Sequence, residues 1–203
     1  MDEELRAELL RRVAADQDAR HALDTEAMLA ADADNLPWLR QVVADVGWPG
    51  RSLVGTDGAQ AAWLLVQHAD RDPAFQRRCL DLLTGAVARG EATASQQAYL
   101  TDRVLLHEGQ PQEYGTQCIA RDGRFVPKRL RDPDHVDERR ARAGLGPLAG
   151  YLATMAEQHA PEPMRIPCPN CRATIEAWPP DLGETRTATC PECGLELTFR
   201  AED

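Results

Sequence analysis

The chain has 203 residues, 43% of them apolar and 28% charged, and a formal net charge of −10. That length accommodates one domain of ordinary size plus a small module, with enough apolar residues for a core. The negative charge is shared by residues 1–163 and 164–203, so a polyanion would be repelled by both, which argues against broad nucleic-acid binding.

Asp2 caps a first helix whose opening turn carries Glu3 and Glu4. Leu5, Leu9, Val13, Asp16, Arg20 and Leu23 recur along it at helical spacing. Asp34 or Asn35 is expected to start a second helix, with Pro37 near its beginning and Gly47 at its end. A loop from Trp48 to Gly55 follows. Asp57 then caps a third helix, Gly58 to His68, apolar on nearly every side and therefore central. Asp72-Pro73 opens a fourth helix that runs to Gly90, and Ser95 a fifth that ends near Gly109.

Tyr114 to Ala120, Asp122-Gly123 and Phe125-Val126 read as a β-hairpin, because Asp-Gly tolerates the positive φ angles of a tight turn. Asp134 caps a sixth helix, and Leu148, Tyr151, Leu152 and Met155 mark a last one. The eight basic residues between Arg121 and Arg142, set among five acids, read as a solvated face with local ion pairs or as a small anion site. The expected fold class is mainly α. A multi-helix domain with one β-hairpin spans residues 1–160, a stiff linker follows at His159–Pro163, and a small β module occupies 164–203.

That module carries the sharpest motif in the chain. Cys168-Pro169-Asn170-Cys171 and Cys190-Pro191-Glu192-Cys193-Gly194 are two Cys-x2-Cys knuckles eighteen residues apart. Two intervening residues let a tight turn aim both sulfurs at one ion, and four thiolates complete a closed tetrahedral shell. Leu195, Leu197 and Phe199 alternate with Glu196, Thr198 and Arg200 as ribbon strands do, with Ile175 and Trp178 to cover the same small core. The reading is a zinc ribbon holding one structural zinc per chain through Cys168, Cys171, Cys190 and Cys193. A redox dithiol needs one such pair beside a thioredoxin-like pattern, which is absent. Cys79 and Cys118 fall outside the motif and read as inert buried thiols.

The longest apolar run, Ala61–Val66, is far short of the roughly 20 residues of a membrane span. The acidic start Met1–Glu4 has no apolar stretch after it, so no signal peptide is expected. A cytoplasmic protein is predicted, with reduced thiols and no membrane association.

Several polar residues stand where core residues belong. Asp16 and Arg20, four apart, share a stripe with Leu9 and Val13. His68 shares one with Ala61, Leu64 and Leu65, and Asp70 follows two residues later. Asp102 shares one with Tyr99 and Leu106, and Arg103 lies beside it. Gln76 shares one with Leu80 and Leu83. Gln112, Tyr114 and Gln117 gather hydrogen-bonding groups around Gly115. Buried charge costs several kcal/mol unless paired, so these groups form a structural network, line a pocket, or hold a second metal ion. In the pocket reading, His68, Asp70, Asp102, Arg103 and Tyr114 are the catalytic candidates. Asp70 or Asp102 would orient His68 as a general acid or base, and Arg20 or Arg103 would clamp an anion. Asp16, Arg20, Gln112 and Gln117 are then the ligand-binding candidates.

The ordered segments Asp16-Gln17-x2-Arg20, Gly47-Trp48-Pro49, Gln67-His68-Ala69-Asp70, Tyr99-Leu100-Thr101-Asp102-Arg103, Gln112-x-Tyr114-Gly115-Thr116-Gln117 and Gly144-Leu145-x-Pro147-Leu148 resemble a bacterial family of unknown function marked by its QHAD and YGTQ motifs. The resemblance covers about residues 5–152. It implies that Asp16, Arg20, His68, Asp70, Asp102, Arg103, Gln112, Tyr114 and Gln117 belong to a shared pattern, and that the ribbon is an appended module. It implies no reaction. Two functions are carried forward. One is a polar His/Asp/Arg pocket for a small anionic or peptidic ligand, with hydrolytic or group-transfer chemistry. The other is a non-catalytic interaction protein that docks a protein partner through the ribbon.

Overall fold

The computed structural model describes residues 1–159, 163–180 and 184–200. The fold is mainly helical, with small antiparallel strand pairs. It divides into two compact units, Met1–Glu108 and Gly109–Asp203. The linker expected at His159–Pro163 falls largely on residues 160–162, outside the described ones.

The first unit is five helices. α1 (Glu3–His21) begins where Asp2 accepts from the N–H of Leu5. α2 (Thr25–Val46) starts nine residues before the expected Asp34 and contains Pro37 in its interior. The true cap is Asp24, whose carboxylate accepts from Ala27 N at 3.0 Å. The alanine-rich turns that follow have enough helix propensity to carry the chain up to and through the proline. α3 (Arg51–Gln67) also starts early, taking in residues expected as loop. Its first turn is capped across the fold, because the N–H of Ser52 donates to Glu91 Oε2 at 2.7 Å. Gly55, at φ 73° and ψ 172°, breaks the helix before it resumes.

α4 (Pro73–Ala88) opens on the Asp72 cap, and α5 (Ala94–His107) on a reciprocal capping box between Thr93 and Gln96. α1 packs on α2 and α3, and α4 on α5. Leu9, Leu39, Val54, Leu65, Leu83 and Leu100 sit at the centre of the core.

The second unit starts with the hairpin β1 (Cys118–Arg121) and β2 (Arg124–Pro127), closed by Asp122 at φ 52° and Gly123 at φ 77°. Two positive φ angles are what a type I′ turn requires. The first strand is shorter than expected, since Tyr114–Gln117 form a loop. A 3-10 turn (Pro133–His135) leads into α6 (Val136–Arg142), and α7 (Leu148–His159) follows. The ribbon consists of β3 (Met164–Pro167) paired with β4 (Thr174–Ala177), and β5 (Thr185–Thr189) paired with β6 (Glu196–Arg200). Arg121 bonds Glu184 and Arg186 bonds Asp122, so ion pairs join the hairpin to the ribbon within this unit.

The basic stretch is largely engaged locally. Arg131 and Arg139 meet Glu113, Arg142 meets Glu138, and Arg129 donates to Gly109 O. Among the described residues, no helix is long and apolar enough to cross a membrane.

Candidate functional site

The four ribbon cysteines converge. Their sulfurs all lie within 4.8 Å of one another, with Cys168 Sγ 3.6 Å from Cys193 Sγ and Cys171 Sγ 3.5 Å from Cys190 Sγ. A tetrahedral ion with metal–sulfur bonds of about 2.3 Å sets its ligands about 3.8 Å apart, so the donor set fits one metal ion.

The two knuckles repeat one backbone design. Cys168 N donates to Ala173 O and Arg172 N to Cys168 O. Likewise Cys190 N donates to Leu195 O and Gly194 N to Cys190 O. Each knuckle then needs a left-handed residue, Arg172 at φ 63° and Gly194 at φ 71°. Hydrogen bonds from the Asn170 side chain and the Leu195 N–H lower the Cys193 thiol to about 6. The N–H of Ala173 acts on Cys171 in the same direction, but Cys190, Cys193 and Cys168 crowd it and push it up to about 12. Four thiols in this space resist ionising together without a cation. Cys79, by contrast, is fully buried and raised to about 12, as an inert thiol should be.

In the first unit, the packing of α1 on α3 brings Asp16 to His68. Asp16 is 1% exposed, and its carboxylate lies 2.8 and 3.0 Å from His68 Nδ1. Burial opposes its ionisation, yet the hydrogen bonds from His68 and Arg20 prevail and lower it to about 2. An ionised carboxylate only accepts, so Nδ1 carries the ring proton and, in the neutral imidazole, Nε2 is left as an acceptor. Nε2 makes no hydrogen bond among the described residues.

Arg20 bridges this pair to α2, meeting Asp16 at 3.0 Å and Asp32 at 2.6 Å. Burial holds the Asp32 carboxyl above its ordinary range although Arg20 is adjacent. The negative charges of Asp16 and Asp70 push it the same way, which links this group to a second one. There Arg103 Nη1 donates to both Asp70 oxygens at 2.9 and 2.7 Å, and Arg103 Nε donates to Gln67 Oε1. Gln76 Nε2 donates to Asp70 Oδ1, and His107 Nε2 lies 3.7 Å from the same oxygen. Burial works against Asp70, but Arg103 holds it below the usual carboxylate range.

This arrangement differs from the one read off the sequence. The residue that orients His68 is Asp16, not Asp70 or Asp102. Arg20 and Arg103, expected to clamp an anion, already hold carboxylates of the chain. Asp102 is fully buried on α5. Among the described residues, only the four cysteines bring three or more ligand atoms within 4.8 Å of one another.

Gln112, Tyr114 and Gln117 lie in the second unit and are engaged there. Gln112 is fully buried, and its amide donates to Gln117 O and Lys128 O while accepting from Gln117 N at 3.0 Å. Arg140, 2% exposed, donates to Tyr114 O at 2.7 Å and Gly146 O at 2.6 Å, with its guanidinium 5.2 Å above the Tyr151 ring. Tyr151 Oη donates to Thr116 O. Gly115, at φ 70°, could not carry a Cβ without meeting Leu148 at 2.9 Å. This segment is a loop pinned by side chains.

Residues 3–160 match the family of unknown function DUF6624. The chain belongs to that family. The four cysteines lie beyond the matched stretch. No curated protein and no solved structure matches the chain.

Sequence reasoning missed Asp32 and His107. A signal for Asp32 existed. Once α2 begins at Thr25, Asp32 sits three residues before Asn35 and seven before Leu39, on the buried stripe of the helix. His107 closes α5 four residues after Arg103, and helical spacing puts the two on one face.

Proposed function

We propose that the helical unit is a small-ligand site in which His68, oriented by Asp16, accepts a proton or hydrogen bond from the bound group. The cysteine module, in this reading, is a zinc ribbon that docks a protein partner in a reducing, cytoplasmic setting. The observation that supports the site is the Asp16–His68 pair. A buried, ionised carboxylate sits on one ring nitrogen, and the other nitrogen is left open on a side chain that is 16% exposed. Such an imidazole serves the proton transfers of hydrolysis and group transfer.

The test is long-range ¹H–¹⁵N spectroscopy of the His68 ring. The expected result is a neutral ring protonated at Nδ1 in the wild type, a preference that Asp16→Leu abolishes. Protonation at Nε2 in the wild type overturns the reading. For the ribbon, four thiolates of this geometry favour zinc. The purified protein should carry about one zinc per chain, and the double variant Cys168→Ser, Cys171→Ser almost none. Stoichiometric zinc in that variant removes the assignment.

A further inference from the structure

The cluster in the first unit differs from a general polar patch in which of its valences are satisfied. Both guanidinium groups are engaged, Arg20 by Asp16 and Asp32, and Arg103 by Asp70 and Gln67. Among the described residues, Arg103 Nη2 and Arg20 Nη1 meet no carboxylate. Each guanidinium nonetheless already has a carboxylate against its charge, so an anion at either would be held against a like charge. The valences left open include three acceptors. His68 Nε2 is one. Asp32 Oδ2 is the second, since Asp32 meets Arg20 through Oδ1 alone. The third is Gln76 Oε1, which is fully buried and has no donor among the described residues. It belongs to the amide whose nitrogen donates to Asp70. The buried amide nitrogen of Gln67 is also unpartnered, but it is neutral and offers an anion no charge.

The charges agree with the valences. Asp16, Asp32 and Asp70 set three carboxylates against the two guanidinium groups, while His68 and His107 add nothing when neutral. The cluster thus carries an excess negative charge, and Asp32 is where it is least compensated.

Resting on the reading of this cluster as a ligand site, we propose that it receives a hydrogen-bond-donating cation of the protonated primary amine class, bound between His68 Nε2 and Asp32. An ammonium group offers three donors and one positive charge. It would satisfy the open imidazole nitrogen and neutralise the half-buried carboxylate without displacing either arginine. Hydrogen bonds to charged partners are the strong ones, and here they fall on a side chain that is 18% exposed. The site would then distinguish amines from carboxylates and phosphates by charge, and small amines from large ones by its half-buried position.

The experiment uses the whole 203-residue chain, loaded with zinc, and follows the His68 ring resonances at a pH slightly above neutral. Methylammonium chloride is titrated against sodium chloride of matched ionic strength, and sodium acetate and inorganic phosphate are titrated separately. The expected result is a saturable shift with methylammonium only, with affinity reduced about tenfold in Asp32→Asn, as the loss of one charge-assisted hydrogen bond implies. A saturable response to acetate or phosphate, or a methylammonium response no different from that of sodium chloride, overturns the proposal. The wild-type titration remains decisive if Asp32→Asn does not fold. Failure here leaves the Nδ1 tautomer of His68 in place, whereas failure of the ligand-site reading removes that tautomer, so the two outcomes are separable.

Discussion

Around Gly115, polar side chains are turned onto main chain. Gln112 holds Gln117 at both its N–H and its carbonyl, Arg140 holds the carbonyls of Tyr114 and Gly146, and Tyr151 holds that of Thr116. Around His68, the partners are mainly other ionisable side chains, and some valences stay open. Both groups look alike as polar residues at core-like positions. Side chains that saturate buried backbone shape a loop that has no ladder of its own. Side chains that orient one another leave His68 Nε2 without a hydrogen bond among the described residues. The first kind satisfies backbone, and the second mainly satisfies charge.

Two changes break or sharpen that contrast, and a third tests the ribbon. The largest expected effect is in the loop. Arg140→Met keeps the stem and removes the donors to two carbonyls. A hydrogen bond to a charged donor contributes about 1.5–3 kcal/mol, and the carbonyl of the exposed Gly146 can turn to water instead, so urea unfolding should show a loss of about 2–3 kcal/mol. A loss below about 1 kcal/mol would mean that the loop does not depend on its arginine, and the contrast would fail.

The second effect is on acid stability. The Asp16 carboxyl is lowered from its ordinary 3.8 to about 2 in the fold. A depressed carboxyl contributes stability above its unfolded value and loses it as pH falls through the folded one. This contribution, about 2 kcal/mol, is therefore complete above pH about 4 and disappears on approaching pH about 2. Asp16→Asn should remove that slope from the pH dependence of unfolding. An unchanged slope would show that His68 and Arg20 do not hold Asp16 ionised.

The smallest effect separates the two halves of the ribbon. Arg172 occupies at φ 63° the position that Gly194 occupies at φ 71°. A left-handed conformation costs a side-chain-bearing residue about 1 kcal/mol, so Arg172→Gly should raise resistance of the ribbon to a competing chelator by about that amount. Unchanged resistance would mean that the first knuckle relaxes the strain by another route.

Local chemistry was readable without coordinates. The doubled Cys-x2-Cys spacing places four sulfurs within one coordination sphere because two intervening residues define a knuckle wherever they occur. Asp122-Gly123 set the hairpin turn, and Asp2 and Asp72 set two helix starts, for the same reason: each acts within a few residues of itself. Where a remote residue intervened, the expectation failed, as when Glu91 capped the first turn of α3 across 39 positions. The start of α2 failed otherwise, because Pro37 read as a first-turn signal and hid the local cap at Asp24. Pairing was decided by packing alone. That His68 takes Asp16, 52 residues away, and that Arg20 reaches Asp32 follow from α1 lying on α2 and α3. Periodicity marks which face of each helix turns inward, but it is silent on which buried face meets which. That choice belongs to the shape of the whole core, and it determined which carboxylate orients the histidine and which arginines are already engaged.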